Sequence, residues 1–389
     1  LLILEKCTMK KFEVVTDIYF GENALNRLKE LSYQRVFIIS DPFVVESGLI
    51  RNVTRPLDQA GISYELYTDV VADPTVEKVI SGITAVLKAD PECIIAVGGG
   101  SAMDLAKSIR KIAGQMQPDF KPCLIAIPTT SGTGSEVTSF SVITDSQTHS
   151  KIPLASRDMT PDEAILDEVL VKSVPASVTA DTGMDVLTHA IEAYVSINNN
   201  EFSGALAEKA VEICGQFLYR SYSDNNDAHA RRKMHIAACL AGLAFNSASL
   251  GLNHGMAHQL GAVFHIPHGR ANAMLLPCII EYNSSINKLS KSKENYDQCV
   301  RKYCNIARML GLHSINEVMT IHSLCNYVRF ISEEMCIPMH LSEILSISKE
   351  EYESHLGAMA DAALKDGCTA TNPRIPTKDD VIELYRKIW

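Results

Sequence analysis

From Met234 to Gly269 the chain carries no Asp, Glu, Lys or Arg, although 21% of all its residues are charged. A stretch of this length without formal charge belongs inside a protein or inside a membrane. Asn246, Ser247, Ser249, Asn253 and repeated Gly and Ala interrupt its apolar run, which excludes a membrane span. The segment is therefore expected to be central and buried. It holds five of the 12 histidines, His235, His254, His258, His265 and His268, together with the thiol of Cys239. Imidazoles gathered in an otherwise uncharged interior call for a chemical reason.

The rest of the composition narrows the class. The 389 residues suffice for two or three domains with a substantial core. A net charge of −10 offers no basic footprint for nucleic acid or for an anionic membrane. The 11 cysteines form no Cys-x-x-Cys pair, and the closest are Cys299 and Cys304. An odd number at scattered spacing fits neither a disulfide framework nor a zinc ribbon, so most are expected as small core residues. The opening LLILEKC has neither the basic nor the apolar part of a signal peptide. Met9 is the expected natural start, with residues 1–8 extra.

The first half alternates buried strands with helical patterns. Apolar runs at 36–40, 93–97 and 123–128 each end in turn-forming residues, and helical periodicity lies at 76–88 and 101–113. This predicts a parallel sheet of βα units. A hairpin follows, with FSVIT (140–144), a turn at Asp145-Ser146-Gln147-Thr148, and KIPLA (151–155). Beyond about residue 175 helical spacing takes over, punctuated by Pro175 and Pro267. The expected domains are 1–178, α/β, and 179–389, all helical.

Three constellations carry chemistry. Gly98-Gly99-Gly100-Ser101-Ala102-Met103-Asp104 runs from strand to turn to helix, where close backbone approach and free N–H groups suit a phosphate. Thr129-Thr130-Ser131-Gly132-Thr133-Gly134-Ser135-Glu136 follows the next buried strand, at the sheet edge where open α/β folds bind ligands. Asp41 closes an earlier strand and favours a ribose 2′-hydroxyl over a 2′-phosphate, hence NAD over NADP. The third constellation is metal-like. Asp185 and His189 stand at i, i+4, as do His254 and His258, and His268 follows Pro267. One carboxylate with several imidazoles suits Fe²⁺ or Zn²⁺. Spacing alone leaves open which three histidines bind. Glu192 and Tyr194 lie further along the same helix, as supports of the site or simply as part of its face.

At these residues the chain resembles the iron-containing (group III) alcohol dehydrogenases. GGGSAMD (98–104), IPTTSGTGSEVTS (127–139), TGMDVLTHAIEAY (182–194), GLNHGMAHQLGA (251–262) and IPHGRANAMLLP (266–277) carry the resemblance, which covers the chain from about Lys10. Within the family, DVLTHAIEAYVS, ALAEKA (205–210) and RKMHIA (232–237) are most similar to the propanol dehydrogenases of propanediol-utilisation microcompartments. The resemblance implies an N-terminal Rossmann-like α/β domain and an all-α C-terminal domain, the dehydroquinate synthase-like fold, with the active site between them. It implies Asp185, His189, His254 and His268 as metal ligands, Fe²⁺ as the usual ion, and His258 beside nicotinamide and substrate. It places Asp41, Gly99, Gly100, Ser101, Asp104, Thr129, Thr130, Thr138 and Lys151 against NAD(H). Asp73 is a weaker correspondence, because other members have Asn there. His265 receives no role and reads as pocket wall or polar helix end.

The implied reaction is hydride transfer between nicotinamide and a short aldehyde, with propanal to 1-propanol and NAD regeneration as the physiological direction. 1,3-Propanediol or ethanol are the alternatives within the family. An NAD- and metal-dependent cyclase or lyase would need a basic cluster for an acidic substrate, and the histidine segment is followed only by Arg270. A non-catalytic scaffold is disfavoured by the complete metal motif. A homodimer is expected, in the cytoplasm or inside a microcompartment with an aldehyde dehydrogenase or shell partner. No encapsulation helix is legible in residues 1–20.

Overall fold

The computed structural model describes residues 11–146, 151–284 and 293–389. The expected start at Met9 and the turn residues Gln147 and Thr148 lie outside them. A parallel six-stranded sheet has the order β1-β8-β5-β4-β2-β3. Its strands are β1 (Asp17–Phe20), β2 (Arg35–Ser40), β3 (Ser63–Tyr67), β4 (Cys93–Gly98), β5 (Cys123–Pro128) and β8 (Glu163–Leu166). β4 and β5 are buried on both faces, which explains their unbroken apolar sequence. Short helices α1 (Pro42–Glu46) and α2 (Arg51–Ala60) follow β2. The longer α3 (Val76–Ala89) and α4 (Gly100–Met116) precede β4 and β5. Two apolar clusters fill the faces of the sheet, one around Ile39, Ile94 and Leu105, the other around Ile38, Ile95 and Leu57.

The hairpin forms as expected from β6 (Phe140–Thr144) and β7 (Lys151–Ala155), paired antiparallel with Phe140 opposite Ala155. β3 and β8 are not legible as buried runs. β3 is an edge strand with a polar, half-exposed sequence, and β8 has only four residues.

Helices make up the remainder: α5 (Ala176–Val195), α6 (Glu201–Ser223), α7 (Ala228–Ala248), α8 (Leu252–Phe264), α9 (His268–Ser284), α10 (Lys293–Met309), α11 (Glu317–Glu334), α12 (Lys349–Lys365) and α13 (Lys378–Lys387). Pro175 caps α5, and residue 178 falls in its first turn. α5 is buried along nearly its whole length, because α6, α7 and α9 all pack on it. No single helix among the described residues is long and apolar enough to cross a membrane, and the α7–α8 pair is bent by 109°.

The charge-free segment forms α7 after its first turns, α8 and the start of α9. It is buried or half-buried as far as Gly261, but Ala262, Val263, His265, Pro267 and His268 are exposed. The expectation of a wholly buried segment is corrected there. Its last turn forms the rim of the site, and lack of formal charge does not by itself require burial. His265 is the left-handed C-cap of α8, with φ 55°, so it is a helix end.

Candidate active site

Three buried helices deliver the metal-like cluster. Asp185 and His189 lie one turn apart on α5, His254 lies in the first turn of α8, and His268 begins α9. One donor atom from each lies within 4.8 Å of all the others. Asp185 Oδ1 is 3.5 Å from His254 Nε2, 3.5 Å from His268 Nε2 and 3.8 Å from His189 Nε2. Donors about 2.1 Å from a tetrahedral metal lie roughly 3.4 Å apart, so these separations fit an ion of the Fe²⁺ or Zn²⁺ size. The chemistry of the set fits as well, with one hard carboxylate and three imidazoles. The structure thus assembles three of the histidines that spacing left open, and leaves His258 out of the set.

The electrostatics agree with a cation site. Burial pulls His189 down to about 3, so it is neutral and free to donate a lone pair. Burial would raise Asp185, but the surrounding imidazoles hold it well below the ordinary carboxylate range. Burial would lower His254, yet hydrogen bonds to Asp185 and Glu192 lift it to about 9. Asn272, one turn after His268, directs its amide nitrogen at Asp185 Oδ1 (2.7 Å), His254 Nε2 (3.1 Å) and His268 Nε2 (3.2 Å). The i, i+4 relation to His268 is the sequence signal that would have found it.

His258 occupies the next turn of α8, its ring stacked on His268 with centroids 5.4 Å apart. Its Nδ1 bonds Asp366 Oδ2 at 2.8 Å, which leaves Nε2 for the cleft. Burial would raise Asp366, but the bond from His258 brings it down to about 2. Asp366 follows α12, more than a hundred residues downstream, and no spacing rule connects it to His258.

Of the nucleotide candidates, Asp41, Gly99, Gly100, Ser101, Thr129 and Thr130 lie at the carboxyl ends of β2, β4 and β5. Asp41 caps α1, accepting from Val44 N at 3.0 Å. Gly99 caps α4, which starts with Gly100 and Ser101. Thr129 and Thr130 follow β5, and Thr129 N donates to Gly98 O at 3.0 Å. Lys151 opens β7 and pairs with Asp73. The loop after β5 packs against α5 next to the cluster, where a Cβ on Gly132 would lie 2.9 Å from Thr182 Cβ, one turn before Asp185.

Asp104 and Thr138 have mainly internal contacts. Asp104 accepts from Ser135 Oγ (2.8 Å) and from Val142 N (2.9 Å). The fully buried Lys107 donates to Ser135 Oγ, Thr138 Oγ1 and Phe140 O at 2.8, 3.1 and 2.9 Å. Burial lowers Lys107 to about 8, against the pull of Asp104 and Glu136, and raises Glu136 to about 7. These groups fasten the Thr/Ser/Gly loop to α4. Lys107 gave no sequence signal, because a lysine in a helix usually lies on its solvated face. On the other side the loop touches α7. Ser131 Oγ meets His235 Nδ1 at 3.0 Å, Ser139 donates to Asn246, and Gly134 lies directly on Gly242.

Residues 15–168 match the model for iron-containing alcohol dehydrogenase, and residues 179–389 match the C-terminal model of the same family. The chain is 39% identical to a 1-propanol dehydrogenase of Citrobacter freundii, over 98% of this chain and all of that one. It is 38% identical to an NADPH-dependent butanol dehydrogenase of Clostridium saccharobutylicum, over 98% of each. Among solved structures it is similar to a 1,3-propanediol oxidoreductase, with a TM-score of 0.89 and 31% identity over 98% of this chain and 100% of that one. An iron-containing alcohol dehydrogenase from Thermococcus thioreducens gives a TM-score of 0.86 at 32% identity, over 97% and 99%.

Proposed function

Since the chain belongs to the iron-containing alcohol dehydrogenases, an Fe²⁺- and NAD(H)-using family of oxidoreductases, we propose that it reduces short aldehydes, propanal foremost, with NADH. The observation that carries this is the convergence of Asp185, His189, His254 and His268 beside the point where the loop after β5 packs on Thr182 of α5. When bound, Fe²⁺ supplies a Lewis acid for the substrate oxygen and NAD(H) the hydride acceptor or donor. Asp185, His189, His254 and His268 hold the ion, and Zn²⁺ suits the same donors. Asp41, Gly99, Gly100, Ser101, Asp104, Thr129, Thr130, Thr138, Lys151 and Asp73 form the dinucleotide side, with Asp104 and Thr138 bracing it through Ser135 and Lys107. The division into 1–178 and 179–389 belongs to the same reading.

His258 moves the proton. Asp366 takes its Nδ1–H, so Nε2 is the atom that exchanges a proton with the substrate oxygen. The His258 side chain is about one-third exposed, which gives that proton a route to water. The Asp41 carboxylate at the end of β2 supports NADH over NADPH. Propanal comes first because of the likeness to 1-propanol dehydrogenase, with butanal, acetaldehyde and 1,3-propanediol as neighbouring substrates. A homodimer, a cytoplasmic or microcompartment location and a partner aldehyde dehydrogenase or shell protein complete the proposal.

The test is an activity panel over short aldehydes with NADH and NADPH, using protein reconstituted with Fe²⁺ or Zn²⁺. Propanal with NADH and Fe²⁺ is expected to give the highest kcat/KM. No turnover of any aldehyde would overturn the reading. Alongside it, His258→Ala is expected to lower kcat by about 10²-fold or more with metal content unchanged.

A further inference from the structure

Glu192 lies on α5 on the same face as Asp185 and His189, and only 3% of it is exposed. Its carboxylate reaches across to the start of α8. Oε1 accepts from the Asn253 backbone N–H at 2.8 Å and Oε2 from that of His254 at 3.4 Å. The same Oε2 lies 2.5 Å from His254 Nδ1. α8 has no capping side chain of its own, because its N-cap is Gly251. A Cβ there would lie 2.6 Å from Glu192 Oε1, so glycine is what lets the carboxylate seat against the helix end. Asn372 Oδ1 serves the remaining first-turn N–H, that of Leu252, at 3.2 Å.

We propose that Glu192 is a positioning residue that selects the metal-binding tautomer of His254. A carboxylate accepts only, so the nitrogen facing it carries the hydrogen. When an ion binds, His254 therefore keeps its Nδ1 hydrogen and gives up the one on Nε2, the nitrogen turned toward Asp185, so that the Nε2 lone pair faces the ion. By capping α8 with the same group, Glu192 also fixes the height at which His254 enters the cluster. The anion at the helix N-terminus is favoured by the helix dipole as well. An outer carboxylate on a metal-binding imidazole characteristically sharpens affinity.

Glutamine cannot replace it. Glu192→Gln offers one oxygen where two acceptors are needed. With the oxygen on Asn253 N–H, the amide N–H₂ faces His254 Nδ1 and drives the hydrogen to Nε2, removing the ligand lone pair. With the oxygen on Nδ1, the amide opposes the Asn253 N–H. Either arrangement weakens the ion site with little change in shape.

This rests on His254 as a ligand, so the experiment separates the two claims. Zn²⁺ and Fe²⁺ dissociation constants are measured by chelator competition for the wild type, E192Q, H254A and N372A. E192Q is expected to raise Kd about 10- to 100-fold, and H254A more. N372A, which loosens the same helix end without touching the imidazole, is expected to stay within about twofold of wild type. A normal Kd in H254A would refute the ligand reading. A normal Kd in E192Q beside a weakened H254A would refute the role of Glu192, and so would an N372A as weak as E192Q. Should E192Q fail to fold, ¹⁵N NMR of the Zn²⁺-loaded wild type decides. A hydrogen on His254 Nδ1 is expected, and one on Nε2 would overturn the proposal.

Discussion

Gly242→Ala is a substitution on which two effects of opposite sign act. Gly242 lies inside α7, where alanine ordinarily gains up to about 1 kcal/mol over glycine. Here a Cβ would lie 2.9 Å from Gly134 Cα, from Gly134 O and from Val137 Cγ2. Ordinary carbon contacts begin near 3.5 Å, so about 0.6 Å of displacement is needed, and two of the three obstacles are backbone. Gly134 has φ 63°, and the turn that holds it lies between Thr130 and Thr138. Overpacking of this kind costs about 1–3 kcal/mol, leaving a net loss of up to about 2 kcal/mol after a helix gain of about 1 kcal/mol. That corresponds to a fall in Tm of up to roughly 8 °C for a domain of this size. The displaced loop carries the proposed dinucleotide contacts, so KM for NADH is expected to rise more than kcat falls. Gly357→Ala is the matched control. It lies inside α12 with nothing within 4 Å of a Cβ, and is expected to stabilise by about 0.5–1 kcal/mol. Thermal denaturation and NADH titration of the two variants form the assay. A Gly242→Ala protein as stable as Gly357→Ala, with unchanged KM, would refute the close-contact reasoning.

Other expectations follow from single contacts. Asp366→Asn removes the charge beside His258 and leaves one side-chain oxygen for two donors, His258 Nδ1–H and Cys368 N–H, and should lower kcat by about tenfold or more, while the metal content measured by elemental analysis stays at wild type. Asp41→Ser removes the charge at the end of β2 and should raise kcat/KM for NADPH relative to NADH; an unchanged ratio would detach Asp41 from the ribose. Burial holds His235 down at about 4, against 6.5 when free. Its contribution is therefore fully present above pH 6.5 and is lost as pH falls toward 4, by at most about 3 kcal/mol. His235→Asn should flatten urea-denaturation stability across that window, and an unaltered slope would show that other groups dominate acid unfolding.

Much of this architecture was legible because local rules produced it. The strands around Ile38, Ile95 and Ile125 are buried on both sides, and their sequences show it directly. The paired spacings of Asp185 with His189 and of His254 with His258 are properties of a helix, readable without a fold. What escaped the sequence is what the fold brings together from afar. Asp366 reaches His258 only because α12 packs on α8. Lys107 looked like a surface residue until Ser135, Thr138 and Phe140 closed over it. The resemblance fixed which histidines to watch, and the packing of α5, α8 and α9 explains why those and not His265 converge.

The place of β8 between β1 and β5 also sets a timetable. Among the described residues β1 pairs only with β8, Asp17 opposite Glu163 and Phe20 opposite Leu166. Leu25 N is held by Asp167, 142 positions later. During synthesis the first strand therefore has no sheet neighbour to pair with, and its backbone groups stay bonded to water, until nearly the whole α/β half has emerged. β2, β4 and β5 need no such delay, since β2 pairs with β3, the next strand in the chain, and β4 with β5 in the same way. So long a sequence separation adds to the contact order that slows folding, and β1 cannot join the sheet before β8 has been made.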